Sequence, residues 1–116
     1  MAAFEIADWT SQLRRGVLEL CILNVLRRDP SYGYEIVTTL EALGPLASGE
    51  NTIYPLLRRL KNDGLLETFL RDSPTGPPRQ YYRLTADGRR RLTALEKEWT
   101  AMTSAVERCL GKGAGA

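Results

Sequence analysis

Apolar positions along the chain keep changing period, and each change marks a boundary between elements. From about Thr10 to Arg28 they recur at helical spacing on two sides of one helix. Leu13, Val17 and Leu20 form one stripe; Leu18, Ile22, Val25 and Leu26 form another, nearly opposite. A helix apolar on two sides is covered on two sides. The expectation is that one cover is the chain's own core and the other a second subunit. Asp29-Pro30 stops this helix, and Ser31 is placed to cap the next, roughly Tyr32 to Leu43, by accepting an early backbone N–H. Gly33, Ile36, Val37, Leu40 and Leu43 share one face of that second helix, with Tyr34 expected to pack in the core or at the elbow. Glycine weakens a helix, so Gly33 implies the close approach of another one. Leu43-Gly44-Pro45 then ends it.

The stretch NTIYPLLRRLKNDGLL, residues 51–66, returns to helical period with a proline inside it. Ile53, Leu56, Leu57 and Leu60 fall on the side to be buried; Asn51, Tyr54, Pro55, Arg58 and Asn62 fall opposite, flanked by Arg59 and Lys61. Proline is tolerated where its missing N–H would have had no partner, in a first turn. Pro55 therefore places the helix start near Asn51 or Thr52, with unpaired N–H groups and a partial positive charge at that tip. Asp63-Gly64 closes the helix after about three turns.

Beyond it, Leu65 to Arg71 and RQYYRL (79–84) flank DSPTGPP (72–78), which predicts a two-stranded hairpin with Arg71 and Arg79 bracketing its tip. Thr85 caps a long last helix running to Leu110. There Leu92, Leu95, Trp99, Met102, Val106 and Cys109 are spaced 3, 4, 3, 4, 3, the narrow seam of a coiled coil. Such a helix is longer than a small domain needs for its own core, and GKGAGA (111–116) reads as a flexible tail. The expected organisation is a mainly α fold with a small β-hairpin: residues 10–84 as a winged helix-turn-helix, 85–110 as a dimerisation helix, and the tail. The dimerisation set is Leu13, Val17, Leu20, Leu92, Leu95, Trp99, Met102 and Val106.

Charge sharpens this picture. The 116-residue chain carries a net charge of only +2, but residues 50–92 hold nine basic side chains against five acidic ones, and residues 31–49 hold none that is basic. A regional excess of this kind suits a surface that faces phosphates. The chain has no histidine, and its two cysteines, Cys21 and Cys109, are far apart in apolar helical surroundings. That spacing suits neither a disulfide framework nor a zinc site, and both are expected to be small buried groups. No catalytic constellation, metal site or cofactor motif is present, which disfavours an enzyme. Without a signal-like start or an apolar run long enough for a bilayer, a cytoplasmic location and no membrane partner are expected.

Three blocks, DPSYGYEI (29–36), ENTIYPLLRRLKNDGLL (50–66) and RQYYRLTADGRRRL (79–92), together resemble the PadR family of transcriptional regulators, in its smaller subtype with a single C-terminal helix. The likeness runs from about Leu13 to Val106. It implies homodimers that bind double-stranded DNA, usually as repressors on inverted repeats, and often released by a small hydrophobic or aromatic effector. On that view the third helix enters the major groove tip first, with Asn51, Thr52 and Tyr54 at bases or phosphates. Arg58 and Lys61 would hold phosphates, Arg71 and Arg79 would track the backbone from the wing or reach the neighbouring minor groove, and Ser31 and Tyr32 complete the DNA-facing set. Trp99 and Met102 are the residues an effector would meet. The competing reading is a winged-helix protein-interaction module, in which the basic face meets an acidic protein.

Overall fold

The computed structural model describes residues 5–111. In chain order these form α1 (Ile6–Val25), β1 (Ser31–Tyr32), α2 (Gly33–Glu41), a 3₁₀ turn at Gly44–Leu46, α3 (Glu50–Asn62), β2 (Leu66–Ser73), β3 (Gly76–Leu84) and α4 (Ala86–Cys109). This is a winged helix-turn-helix followed by a long C-terminal helix. Of the expected tail, only Gly111 is described, at a φ of 76° just past α4; residues 112–116 lie outside the described residues.

Every helix sends one apolar stripe to a common core. Leu18, Ile22, Leu23 and Leu26 come from α1 and its end, Ile36, Val37 and Leu40 from α2, and Ile53, Leu57 and Leu60 from α3. Leu66 and Leu84 close it from the sheet, and Leu92 from α4. Leu43, expected on the buried face of the second helix, is 53% exposed, because α2 ends at Glu41 and the chain turns away.

Two local expectations are corrected. Ser31 does not cap α2. It lies in β1, pairing with Tyr82 of β3, while its Oγ donates to Glu35 Oε1 at 2.5 Å. The cap is Tyr32, in extended backbone with no side-chain hydrogen bond. The backbone polar groups of residues 31–32 are met by a strand some fifty positions away (Ser31↔Tyr82, Tyr32↔Tyr81), so the sheet has three strands in the order β1-β3-β2. The second correction concerns Pro55. Gly49 is the N-cap of α3, and its carbonyl accepts from the N–H of both Thr52 and Ile53. Pro55 is therefore past the first turn, and its ring removes the N–H that would have met the Asn51 carbonyl. The loss falls at an exposed tip that water reaches.

The far end of α3 is closed by a Schellman motif: Leu65 N–H donates to Leu60 O and Gly64 N–H to Lys61 O, with Gly64 at a φ of 78°. The hairpin is longer and tighter than its proline content suggested. Register holds from Leu66↔Leu84 to Ser73↔Gly76, with an irregularity between Arg71 and Ser73, so Pro77 and Pro78 belong to β3.

Thr85 caps α4 as expected, accepting from Gly88 N–H at 3.0 Å and donating its hydroxyl to Gly64 O at 2.6 Å. That second bond seats the start of α4 on the turn that ends α3. Gly88 is buried there, and a Cβ added to it would lie 2.1 Å from Leu65 O. Gly88→Ala gains about 1 kcal/mol of helix propensity but overpacks against backbone, so a net loss of roughly 1–2 kcal/mol is expected in urea unfolding.

Candidate nucleic-acid interface

Because Ile53, Leu57 and Leu60 are fully buried, the opposite face of α3 is turned outward. Asn51 and Thr52 are exposed at its tip and Arg58 and Lys61 along its side. Tyr54 is half-buried between tip and core. Its ring lies over Gly33, where an added Cβ would be 2.2 Å from Tyr54 Cε1. This explains the glycine: the close approach inferred from the sequence is that of a tyrosine ring on α3.

A cleft of about 770 Å³ runs between α3, the start of α2 and β3. Arg58, Lys61 and Arg79 bring positive charge to it, and Tyr32, Tyr34, Tyr54, Tyr82 and Gln80 bring polar tips. Burial raises the Tyr54 hydroxyl above its ordinary value, and Glu50, Tyr82 and Tyr34 push the same way. Burial also raises Tyr82, against an opposing pull from Arg58. A phenol is protonated at neutral pH even at its ordinary value, so both are donors there, and the shifts only move them further from ionisation.

Glu50, in the first turn of α3, is the acidic side chain that acts on Tyr54; other carboxylates are taken up in ion pairs away from the cleft. Arg59 pairs with Glu19 and Asp63, Arg83 with Glu67, Arg90 with Asp87, Arg91 with Glu19, and Arg27 with Glu96. Among the described residues, Arg58, Lys61, Arg71 and Arg79 make no ion pair. The wing carries the track onward: Arg71 faces Arg79 across the strands, although Arg71 does not line the cleft.

The site predicted from sequence is thus mostly brought together, with three differences. Ser31 is 5% exposed and its hydroxyl is taken by Glu35, so its side chain is withdrawn from the surface. Tyr34, expected to pack in the core or at the elbow, is 57% exposed and lines the cleft. Gln80 and Tyr82 were missed; their alternation with Arg79 and Tyr81 along β3 was the available signal, but which face met the cleft depended on packing.

The apolar set also needs one change. Leu13, Val17 and Leu20 of α1 and Leu95, Trp99 and Met102 of α4 line a shared groove of about 410 Å³. Val106 is exposed further along α4, whereas Leu92 is 3% exposed inside the chain's own core and has no surface left to offer. The cysteine expectation fails as well: Cys21 is half-buried, with its thiol pushed up by burial, and Cys109 is exposed.

A model of the transcriptional regulator PadR-like family matches residues 22–94, from the last turn of α1 into the first half of α4. The chain belongs to the PadR-like family. It is similar to a PadR family transcriptional regulator from Eggerthella lenta, at 37% identity and a TM-score of 0.80 over 90% of this chain and 91% of that one. It is also similar to a PadR-like transcriptional regulator from Bacillus cereus, at 37% identity and a TM-score of 0.79 over 85% and 96%. Bacillus subtilis PadR, solved in complex with operator DNA, matches at 28% identity and a TM-score of 0.63 over 68% of this chain and 45% of that protein.

One ion-pair hub fixes α3 within this PadR-like head. Glu19, its side chain 16% exposed, accepts from Arg91 Nε at 2.6 Å and Arg59 Nη2 at 3.3 Å, joining α1, α3 and α4. Burial alone would raise the Glu19 carboxyl; the hydrogen bonds and charges of Arg91, then Arg59, outweigh it and hold the group below its ordinary 4.5. A carboxyl lowered on folding adds stability that is present above the unfolded value and lost as pH falls through the folded one. Stability should therefore decline as pH drops below 4.5, and Glu19→Gln should remove about 1 kcal/mol of that dependence, read from urea midpoints across the acid range.

Proposed function

We propose that this PadR-like protein is a homodimeric transcriptional repressor that binds an inverted repeat in double-stranded DNA. The observation that carries the reading is the exposed tip of α3, continuous with four cations that have no acidic partner among the described residues. A major groove admits one helix, and the N-terminal end of α3 adds the partial charge of its free N–H groups. Asn51 and Thr52 meet base edges or phosphates, and the Tyr54 hydroxyl donates beside them. Arg58 and Lys61 neutralise phosphates, while Tyr32, Arg71 and Arg79 carry the contact onto the wing. The Bacillus subtilis neighbour on operator DNA supports this use of the shared head.

The second copy is called for by α4. Leu92 and Leu95 are the only seam positions packed on the chain's own core; Trp99, Met102 and Val106 are 43%, 61% and 46% exposed at the same heptad spacing. Pairing there, with Leu13, Val17 and Leu20 alongside, buries them and sets two heads to meet half-sites about 34–36 Å apart.

Selection of bound duplexes from a random pool tests the reading: an inverted repeat is expected, and recovery of unrelated sequences would count against it. With about six phosphates neutralised per dimer, log K should fall against log salt with a slope near −5. Arg58→Glu with Lys61→Glu should abolish most of that affinity; undiminished binding would favour a protein partner instead.

The same groove suits a small planar aromatic effector beside Trp99 and Met102, since ligands occupy largely apolar spaces between helices. Such compounds should quench tryptophan emission and weaken operator binding together, with both effects lost in Trp99→Leu.

A further inference from the structure

The outer face of the hairpin carries a row of rings beneath arginines, of which the site described above uses Tyr32, Arg71 and Arg79 but not Phe69 or Tyr81. Alternation along the strands puts Phe69 and Arg71 of β2 on the same face as Arg79, Tyr81 and Arg83 of β3, with Phe69 opposite Tyr81 and Arg71 opposite Arg79. Tyr32 of β1 pairs with Tyr81 from the other side. The three rings form a row: Phe69 and Tyr81 stack with centroids 5.8 Å apart, and Tyr32 meets Tyr81 edge-on at 5.3 Å.

Guanidinium groups lie over this row. Arg71 Cζ is 4.3 Å from the Tyr81 ring centroid and 5.4 Å from that of Phe69; Arg79 lies 4.4 Å over Tyr32, and Arg83 4.7 Å over Phe69. Proteins hold about one significant cation–π contact per 70–80 residues. Four on one face of a single hairpin is a local concentration, and it singles out two of the three arginines. Arg83 is neutralised by Glu67 at 2.8 Å and serves as the base of the row. Arg71 and Arg79 have no acidic partner among the described residues, and Arg79 with Tyr32 also lines the cleft beside α3. The row therefore joins the recognition helix to the wing.

An arginine free in solvent loses rotamer entropy when it grips a phosphate. Stacked on a ring, its plane and position are already set, with its N–H edge left open to the oxygens of a phosphate. We propose that Tyr81 is a positioning residue for DNA, its ring holding the Arg71 guanidinium extended over the wing so that it meets a backbone phosphate of the bound duplex. Tyr32 does the same for Arg79. This rests on the DNA-binding reading and names residues that the sequence had not assigned to it, Phe69 and Tyr81.

A double-mutant cycle on the full-length protein tests it, with fluorescence anisotropy on a labelled duplex recovered by selection. Tyr81→Leu should weaken binding about 3- to 10-fold, and Tyr81→Phe, which keeps the ring, should retain it. In an Arg71→Ala background the same Tyr81→Leu change should cost less than about 2-fold, because the ring acts through the arginine. Equal losses in both backgrounds would mean that Tyr81 merely builds the wing, and no loss in the native background would mean that stacking does not matter; either overturns the proposal. Thermal melts show whether the variants fold, and Tyr81→Val, which keeps strand propensity, replaces Tyr81→Leu if that chain does not. DNA binding that depends on Arg58 and Lys61 but ignores both Tyr81 and Arg71 sinks the positioning role alone. Absence of duplex binding by the native protein sinks both readings.

Discussion

The burial of one narrow stripe of α3 is the constraint on which the rest of the molecule depends. Ile53, Leu57 and Leu60 are each at 0% exposure, held between α1, α2 and the sheet. Fully burying side chains of this size is worth about 1.5–3 kcal/mol each. No rotation of the helix keeps that gain, so its polar face must point outward. The Schellman turn at Gly64 and the Thr85 hydroxyl on Gly64 O then fix where the helix stops and where α4 begins. Helix α3, the hairpin and the long helix α4 are thereby locked to one another within a few residues.

Charge on this protein is organised by pairing more than by number. Sixteen basic residues offset by fourteen acidic ones say little about a partner. What matters is that Glu19 draws Arg59 and Arg91 into the joint between α1, α3 and α4, while Glu67 takes Arg83. The cations at the cleft and on the wing are left to face outward. Tyr54 and Tyr82 are neutral donors between those cations, and burial moves both still further from ionisation. Unpaired cations around neutral donors form a surface suited to a phosphate backbone.

Much of this was legible in the amino-acid order, for reasons of local physics. Helical spacing of Leu18, Ile22, Leu26 and of Ile53, Leu57, Leu60 follows from the 3.6-residue turn, and it located helices and core stripes correctly. Thr85 was a readable cap because its partner, Gly88 N–H, is three residues away. The heptad seam was readable too, except that Leu92 shares its spacing with Trp99 while lying in the chain's own core. Spacing reports which side of a helix is apolar, not what covers it.

What tertiary structure alone decided were the partners at long range. Ser31 has the chemistry of a helix cap, but pairing with Tyr82 on a distant strand drew it into a sheet, and Glu35 took its hydroxyl. Gly33 announced a close approach without naming the tyrosine that makes it. Tyr32 and Tyr34 both line the cleft, yet Tyr34 is largely exposed while Tyr32 lies beneath an arginine. Sequence determined the stripes, stops and turns, because those arise within a few residues along the chain. Which cations stay unpaired, which rings carry them and which strand meets Ser31 depend on segments that only folding brings side by side.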